Sequence, residues 1–219
     1  MPPTVFLMDK QMELVNSSGT LISDAAFRAL YPLVSFPATL SQTDIGPYGY
    51  SVVQPTAMPA PLPFYSVTEG APSQQADGTW VQTWVQAPIA LATAQQSQAQ
   101  TITNACANAI TSGFTSSALG ATYTYPSKPT DQQNLAASVL ASILPGIAAN
   151  WTTPFWCADA SGNWAWVNHT AAQIQQVGSD SKTAILNYQA QNAQLQEQIV
   201  AATTTTVEMV AAIVWPTTT

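Results

Sequence analysis

The chain has 219 residues, 47% of them apolar, enough for a sizeable core in one or two domains. Only 7% are charged, against about 25% in a typical globular protein, and the net charge is −7. The cations Lys10, Arg28, Lys128 and Lys182 are scattered and no apolar run approaches ~18 residues, so neither nucleic-acid binding nor a membrane span is expected.

The first residues, MPPTVFLMDKQMELV, lack a basic region followed by an apolar block and do not read as a signal peptide. Apolar runs at 5–8 and 12–15 precede Asn16-Ser17-Ser18-Gly19, which is turn chemistry, and Leu21-Ile22 completes a predicted hairpin. Ser23-Asp24 caps a short helix over 25–30, with Phe27 and Leu30 on one side and Pro32 ending it. A helical turn at 40–45 and a strand at 50–54 follow. Pro55, Pro59, Pro61 and Pro63 make 55–63 a polyproline-like arm. Strict alternation over 79–86 predicts a strand with Trp80, Gln82 and Trp84 on one face. Its partner is 65–68, across a turn region holding Gly70-Ala71-Pro72 and Asp77-Gly78.

An Ala/Gln/Thr-rich stretch without Gly or Pro predicts a helix over 90–109, stopped by Gly113. A short strand at 121–125 leads to a helix over 132–144, capped by Thr130-Asp131, with Leu135, Val139, Ile143 and Leu144 buried. Residues 155–158 and 164–167 flank Asp159-Ala160-Ser161-Gly162-Asn163 and predict an aromatic hairpin. Thr170 then caps a long helix over about 170–204. The expected fold class is α+β. Residues 1–88 form a β-rich module with the proline arm, 89–118 a connecting helix, and 119–219 a C-terminal α+β domain.

The long helix carries a narrow stripe at Ile174, Gly178, Ser181, Ile185, Tyr188, Asn192, Leu195, Ile199 and Ala202, a heptad-like seam from Ile185 onward. The stripe packs on its own domain, or it associates with another subunit. The expected arrangement lays Ile174, Ile185 and Tyr188 on the small sheet. It leaves the 192–202 end free, so Tyr188, Asn192, Leu195 and Ile199 are the candidate partner-docking residues. Trp151, Trp156, Trp164 and Trp166 fall within sixteen positions. A small sheet with few large aliphatics is expected to use them as core. The alternative is glycan stacking on Trp156, Trp164 and Trp166.

Catalytic constellations are not in evidence. His169, the one histidine, sits beside the predicted cap and reads as a surface or capping residue. One His and two separated Cys do not make a zinc site, and Cys106 and Cys157 read as buried thiols. Nucleophile-elbow, phosphate-loop and dinucleotide motifs are lacking. The acids are isolated along the chain, and Asp24, Asp77, Asp131 and Asp159 have roles as caps or turn residues. No enzyme, cofactor or metal is expected.

Several motifs carry a resemblance. Arg28-Ala29-Leu30-Tyr31-Pro32, Ser35-Phe36-Pro37, Gly49-Tyr50-Ser51-Val52-Val53, Glu69-Gly70-Ala71-Pro72 and Asp77-Gly78-Thr79-Trp80-Val81-Gln82-Thr83-Trp84 together resemble an N-terminal module of bacteriophage tail and tail-fibre-accessory proteins. The second half resembles a phage domain of unknown function that follows this module. The matching stretches are 123–126, 131–140, 156–167, 170 onward and Trp215-Pro216. Tyr125-Pro126-Ser127-Lys128 replaces the His-Ser-Asp stretch of many relatives. The resemblance implies a structural component of the virion tail, baseplate or fibre attachment, present in the host cytoplasm during assembly. It implies partners among other tail or fibre subunits and a homo-oligomer, with a trimer the natural stoichiometry near a fibre. A fibre-assembly chaperone and a glycan-binding tip are the alternatives. The resemblance supplies no catalytic residues.

Overall fold

A hairpin opens the N-terminal unit. Strands β1 (Glu13–Asn16) and β2 (Leu21–Ser23) pair antiparallel. The Asn16 side chain closes the turn by accepting from the Ser18 and Thr20 amides at 3.1 and 2.8 Å. The computed structural model describes residues 13–201 and 203–216, so the apolar run at 5–8 and Ala202 lie outside the described residues. The α+β class holds, and the chain divides between Ile89 and Ala90 into two units.

Ser23 caps α1 (Asp24–Leu30) through its hydroxyl, which accepts from the Ala26 amide. Phe27 is buried, with the rings of Tyr31, Phe36, Tyr48 and Tyr50 around it at 5.1 to 5.9 Å. Leu30, expected beside Phe27, is exposed, because this aromatic cluster already fills the inner side of the helix. The Arg28 guanidinium pairs with Asp24 and donates to the carbonyls of Pro37 and Ala38, tying the following loop down. A short α2 (Gln42–Ile45) leads into β3 (Tyr50–Gln54).

Strands β4 (Tyr65–Gln74) and β5 (Trp80–Pro88) form the long hairpin, and the sheet order is β2-β1-β3-β5-β4. The turn is confined to 75–79. Gly70-Ala71-Pro72, expected in the turn, continues β4 across a register shift between Gly70 and Ser73. The irregularity suits Pro72, which has no amide to give the ladder. Gly70 is needed here: an added Cβ would lie 2.7 Å from the Thr83 hydroxyl. The proline arm runs beside β5, held by its glutamines. Gln82 Oε1 accepts from the Thr56 amide, and Gln86 Oε1 from the Leu62 amide.

The second unit contains α3 (Leu91–Ser112), β6 (Phe114–Ser116), β7 (Tyr123–Tyr125), α4 (Pro129–Ser142), β8 (Thr152–Ala158), β9 (Trp164–Thr170), α5 (Ala171–Val200) and α6 (Val207–Ala212). Its four strands form an antiparallel sheet ordered β6-β7-β8-β9. Helix α3, expected as a connector, belongs to this unit and packs along α5.

Helix α5 organises the unit. Thr170 and Gln173 form a reciprocal capping box at its start. Ile174 and Val177 enter the core formed by Phe114, Tyr125, Leu135, Phe155 and Cys157. At Gly178 α4 comes close, and an added Cβ would meet the Val139 side chain at 2.7 Å. Further along, Leu195 and Ile199 close on Ile102 of α3. Glutamines bind this helix pair. Gln95 donates to the Ile199 carbonyl at 2.8 Å, satisfying one of the acceptors that a helix end leaves over, and Gln196 donates to the Ala99 carbonyl at 2.9 Å.

Helix α4 departs from expectation at both ends. It starts at Pro129, with the Asp131 carboxylate accepting from the Lys128 amide. It stops at Ser142, whose hydroxyl turns back to the Val139 carbonyl and also accepts from Gln175. Ile143 and Leu144 therefore fall beyond the helix and are exposed instead of buried, as is Leu140.

Candidate functional site

The outer face of the second sheet carries the most distinctive surface. Along β8, Phe155 and Cys157 point into the core, so Trp156 between them points outward. Along β9, Val167 and His169 point inward, and Trp164 and Trp166 outward. The register places Trp156 directly opposite Trp166, and Ala158 opposite Trp164. The Trp156 and Trp164 rings stack at 6.1 Å with 19° between planes, and Trp166 meets Trp156 at 5.4 Å, tilted by 55°. Trp156, Trp164 and Trp166 are 36%, 44% and 64% exposed, so the expectation that they form core is overturned. The physical reason is the period of two. Phe155, Cys157, Tyr125 and His169 already fill the face against α5, and the tryptophans occupy the alternate positions.

A rigid turn holds this platform. The Asp159 carboxylate accepts from the Ser161 and Asn163 amides and from the Asn163 side chain, at 2.9 to 3.0 Å. Gly162 supplies the left-handed residue that the turn requires, at φ 81°. These hydrogen bonds, Asn163 foremost, hold the Asp159 carboxyl below its usual range. The neighbouring strands add the exposed Thr124 and Thr115, and β9 adds Asn168. None of these outward strand residues is charged.

Behind the platform, His169 is fully buried, which corrects its reading as a surface or capping residue. Its Nδ1–H donates to the Val167 carbonyl at 2.8 Å, leaving Nε2 to accept from the Tyr125 hydroxyl at 2.9 Å. That pattern is a neutral imidazole with both nitrogens used. Burial pushes the His169 pKa down and the Tyr125 pKa up. The pair satisfies polar groups in a core and exposes no reactive atom. Cys106 and Cys157 are buried free thiols, each pushed up by burial.

The four expected docking residues are distributed differently. Leu195 and Ile199 are buried within the chain against Ile102, so they are not free to meet a neighbour. Asn192 is half-buried and accepts from Gln196. Tyr188 does not lie on the sheet. It lines a pocket of about 300 Å³ with Ser112, Asn187, Gln191 and Trp215, its ring 6.5 Å from that of Trp215. Ile185 lines a second, largely apolar groove of about 450 Å³ between α4 and α5, with Leu140, Ile143 and Lys182. The sequence reading missed this groove. Leu140, exposed on α4 beyond the buried Leu135, was its available signal.

Among the described residues, no group of three or more His, Cys, Asp or Glu is placed to hold a metal ion. No helix among them is long and apolar enough to cross a membrane. No curated protein and no solved structure matches the chain. The family model described as "Domain of unknown function (DUF4376)" matches residues 93–214, more than half of the chain, and the chain belongs to that family.

Proposed function

We propose that the protein is a non-catalytic structural component of a bacteriophage particle, acting through docking to other subunits at the tail, the baseplate or the fibre attachment. This reading rests on the ordered succession of motifs from Arg28 to Trp84 that resemble a tail module, ahead of the family domain at 93–214. Several side chains that catalysis would draw on serve structure instead. His169 and Tyr125 satisfy one another in the core. Asp44, Asp131 and Asp159 hold backbone amides at helix starts and a turn. A surface with so few charges repels neighbouring subunits little, and the apolar α4–α5 groove adds a surface suited to contact.

Co-expression with phage tail and fibre subunits, followed by native mass spectrometry, tests the docking role. The expected result is a complex with a tail or fibre subunit. A chain that stays free of every such subunit overturns it.

A further inference from the structure

We propose that the Trp156–Trp164–Trp166 face is a binding site for a neutral saccharide, whose pyranose rings stack on the indoles. Three observations select this ligand class. First, Trp166 is 64% exposed and offers an open ring, while Trp156 and Trp164 stack on each other beside it and keep part of their surface open. An indole face is the negative side of its quadrupole and attracts the slightly positive C–H edge of a sugar ring. Second, the open indole area is on the order of 300 Å², whereas a stable dimer buries about 800 Å² on each partner. The indoles match the footprint of a few sugar rings, whereas a second copy would need contacts well beyond them. Third, the outward side chains around the indoles are uncharged hydrogen-bonding groups, Asn168 and Thr124 among them. Single-stranded nucleic acid also stacks on aromatics, but it needs a basic groove along its backbone. In this unit the cations are Lys128, at the start of α4, and Lys182, in the α4–α5 groove, and neither is on the sheet.

The platform is also preorganised. Asp159 and Asn163 fix the hairpin turn, and the cross-strand pair Trp156–Trp166 sits on a fully registered ladder. A ligand therefore meets rings that lose little freedom on binding.

The test uses the purified full chain, so its outcome is separate from whether the protein resides in a particle. Isothermal titration is run with neutral hexasaccharides of glucose, galactose, mannose and N-acetylglucosamine, with a thymidine oligonucleotide as the competing class. Saturable binding of at least one hexasaccharide is expected, weakened on the order of tenfold by Trp166→Ala and largely retained by Trp166→Phe. An unchanged helical signal in the circular dichroism of both variants establishes that they fold. No heat with any hexasaccharide overturns the proposal. So does binding that Trp166→Ala leaves intact, or binding of the oligonucleotide alone. A dimer in sedimentation that Trp166→Ala dissociates overturns it in favour of self-association.

Discussion

Leu195 of α5 packs against Ile102 of α3, and this contact turns the far end of the long helix into core. The helix is therefore occupied along its length: by the sheet at Ile174, by α4 at Gly178 and by α3 at Leu195. Leu195→Asp or Ile199→Asp places an unpaired carboxylate in that contact. Each should destabilise the second unit by roughly 3 kcal/mol or more, read as a lower denaturation midpoint. A variant that keeps its midpoint would return these residues to the surface.

The Tyr125–His169 pair makes stability depend on pH in a defined direction. His169 is held neutral with its pKa below the ordinary 6.5, so the unfolded chain binds more protons than the folded one once the pH drops below that value. Its contribution is present above pH 6.5 and is lost as pH falls toward the folded pKa. The slope reaches at most about 1.4 kcal/mol per pH unit. Denaturation between pH 7 and 5 should show it, and His169→Asn should flatten it. This window lies above the range in which Asp44, Asp77 and Asp159 protonate.

The fold was legible where a local rule decides. The turn at Asn16–Gly19, the cap at Ser23, the alternation from Trp80 to Trp84 and the Thr170 cap each follow from short-range chemistry. The site was less legible, because which face of a strand becomes core depends on what packs there. Trp156 lies between Phe155 and Cys157, and nothing local says which of the two faces α5 will cover. The same holds for Leu195: a seam at heptad spacing is equally a dimer face and a bed for α3. No local rule assigns the glutamines of α3 and α5 a partner, yet Gln95 and Gln196 are donors across that helix pair.

Gly113 joins α3 to β6 at φ 121°, and an added Cβ would lie 2.7 Å from the Tyr125 carbonyl oxygen. Gly113→Ala meets both backbone strain and a backbone clash. A loss of about 2 kcal/mol or more is expected in urea denaturation. A neutral effect would mean that the α3–β6 junction adopts another conformation.

Asp159 is expected to govern the indole platform without governing the fold. Asp159→Ala removes the acceptor of the Ser161 and Asn163 amides. The exciton signal of the stacked Trp156 and Trp164 in circular dichroism should weaken, while the helical signal stays. In the unaltered protein the same signal should fade only under acid conditions, as the carboxylate protonates below its ordinary 3.8. An exciton signal indifferent to both changes would separate the turn from the platform.

The central proposal assigns the chain to a phage particle, and mass spectrometry of purified, extensively washed particles tests that assignment most directly. The protein should be present in fixed ratio to a known tail or fibre subunit and should survive washing. Its presence in the infected-cell lysate with absence from the washed particles would contradict a structural role and leave an assembly chaperone in its place.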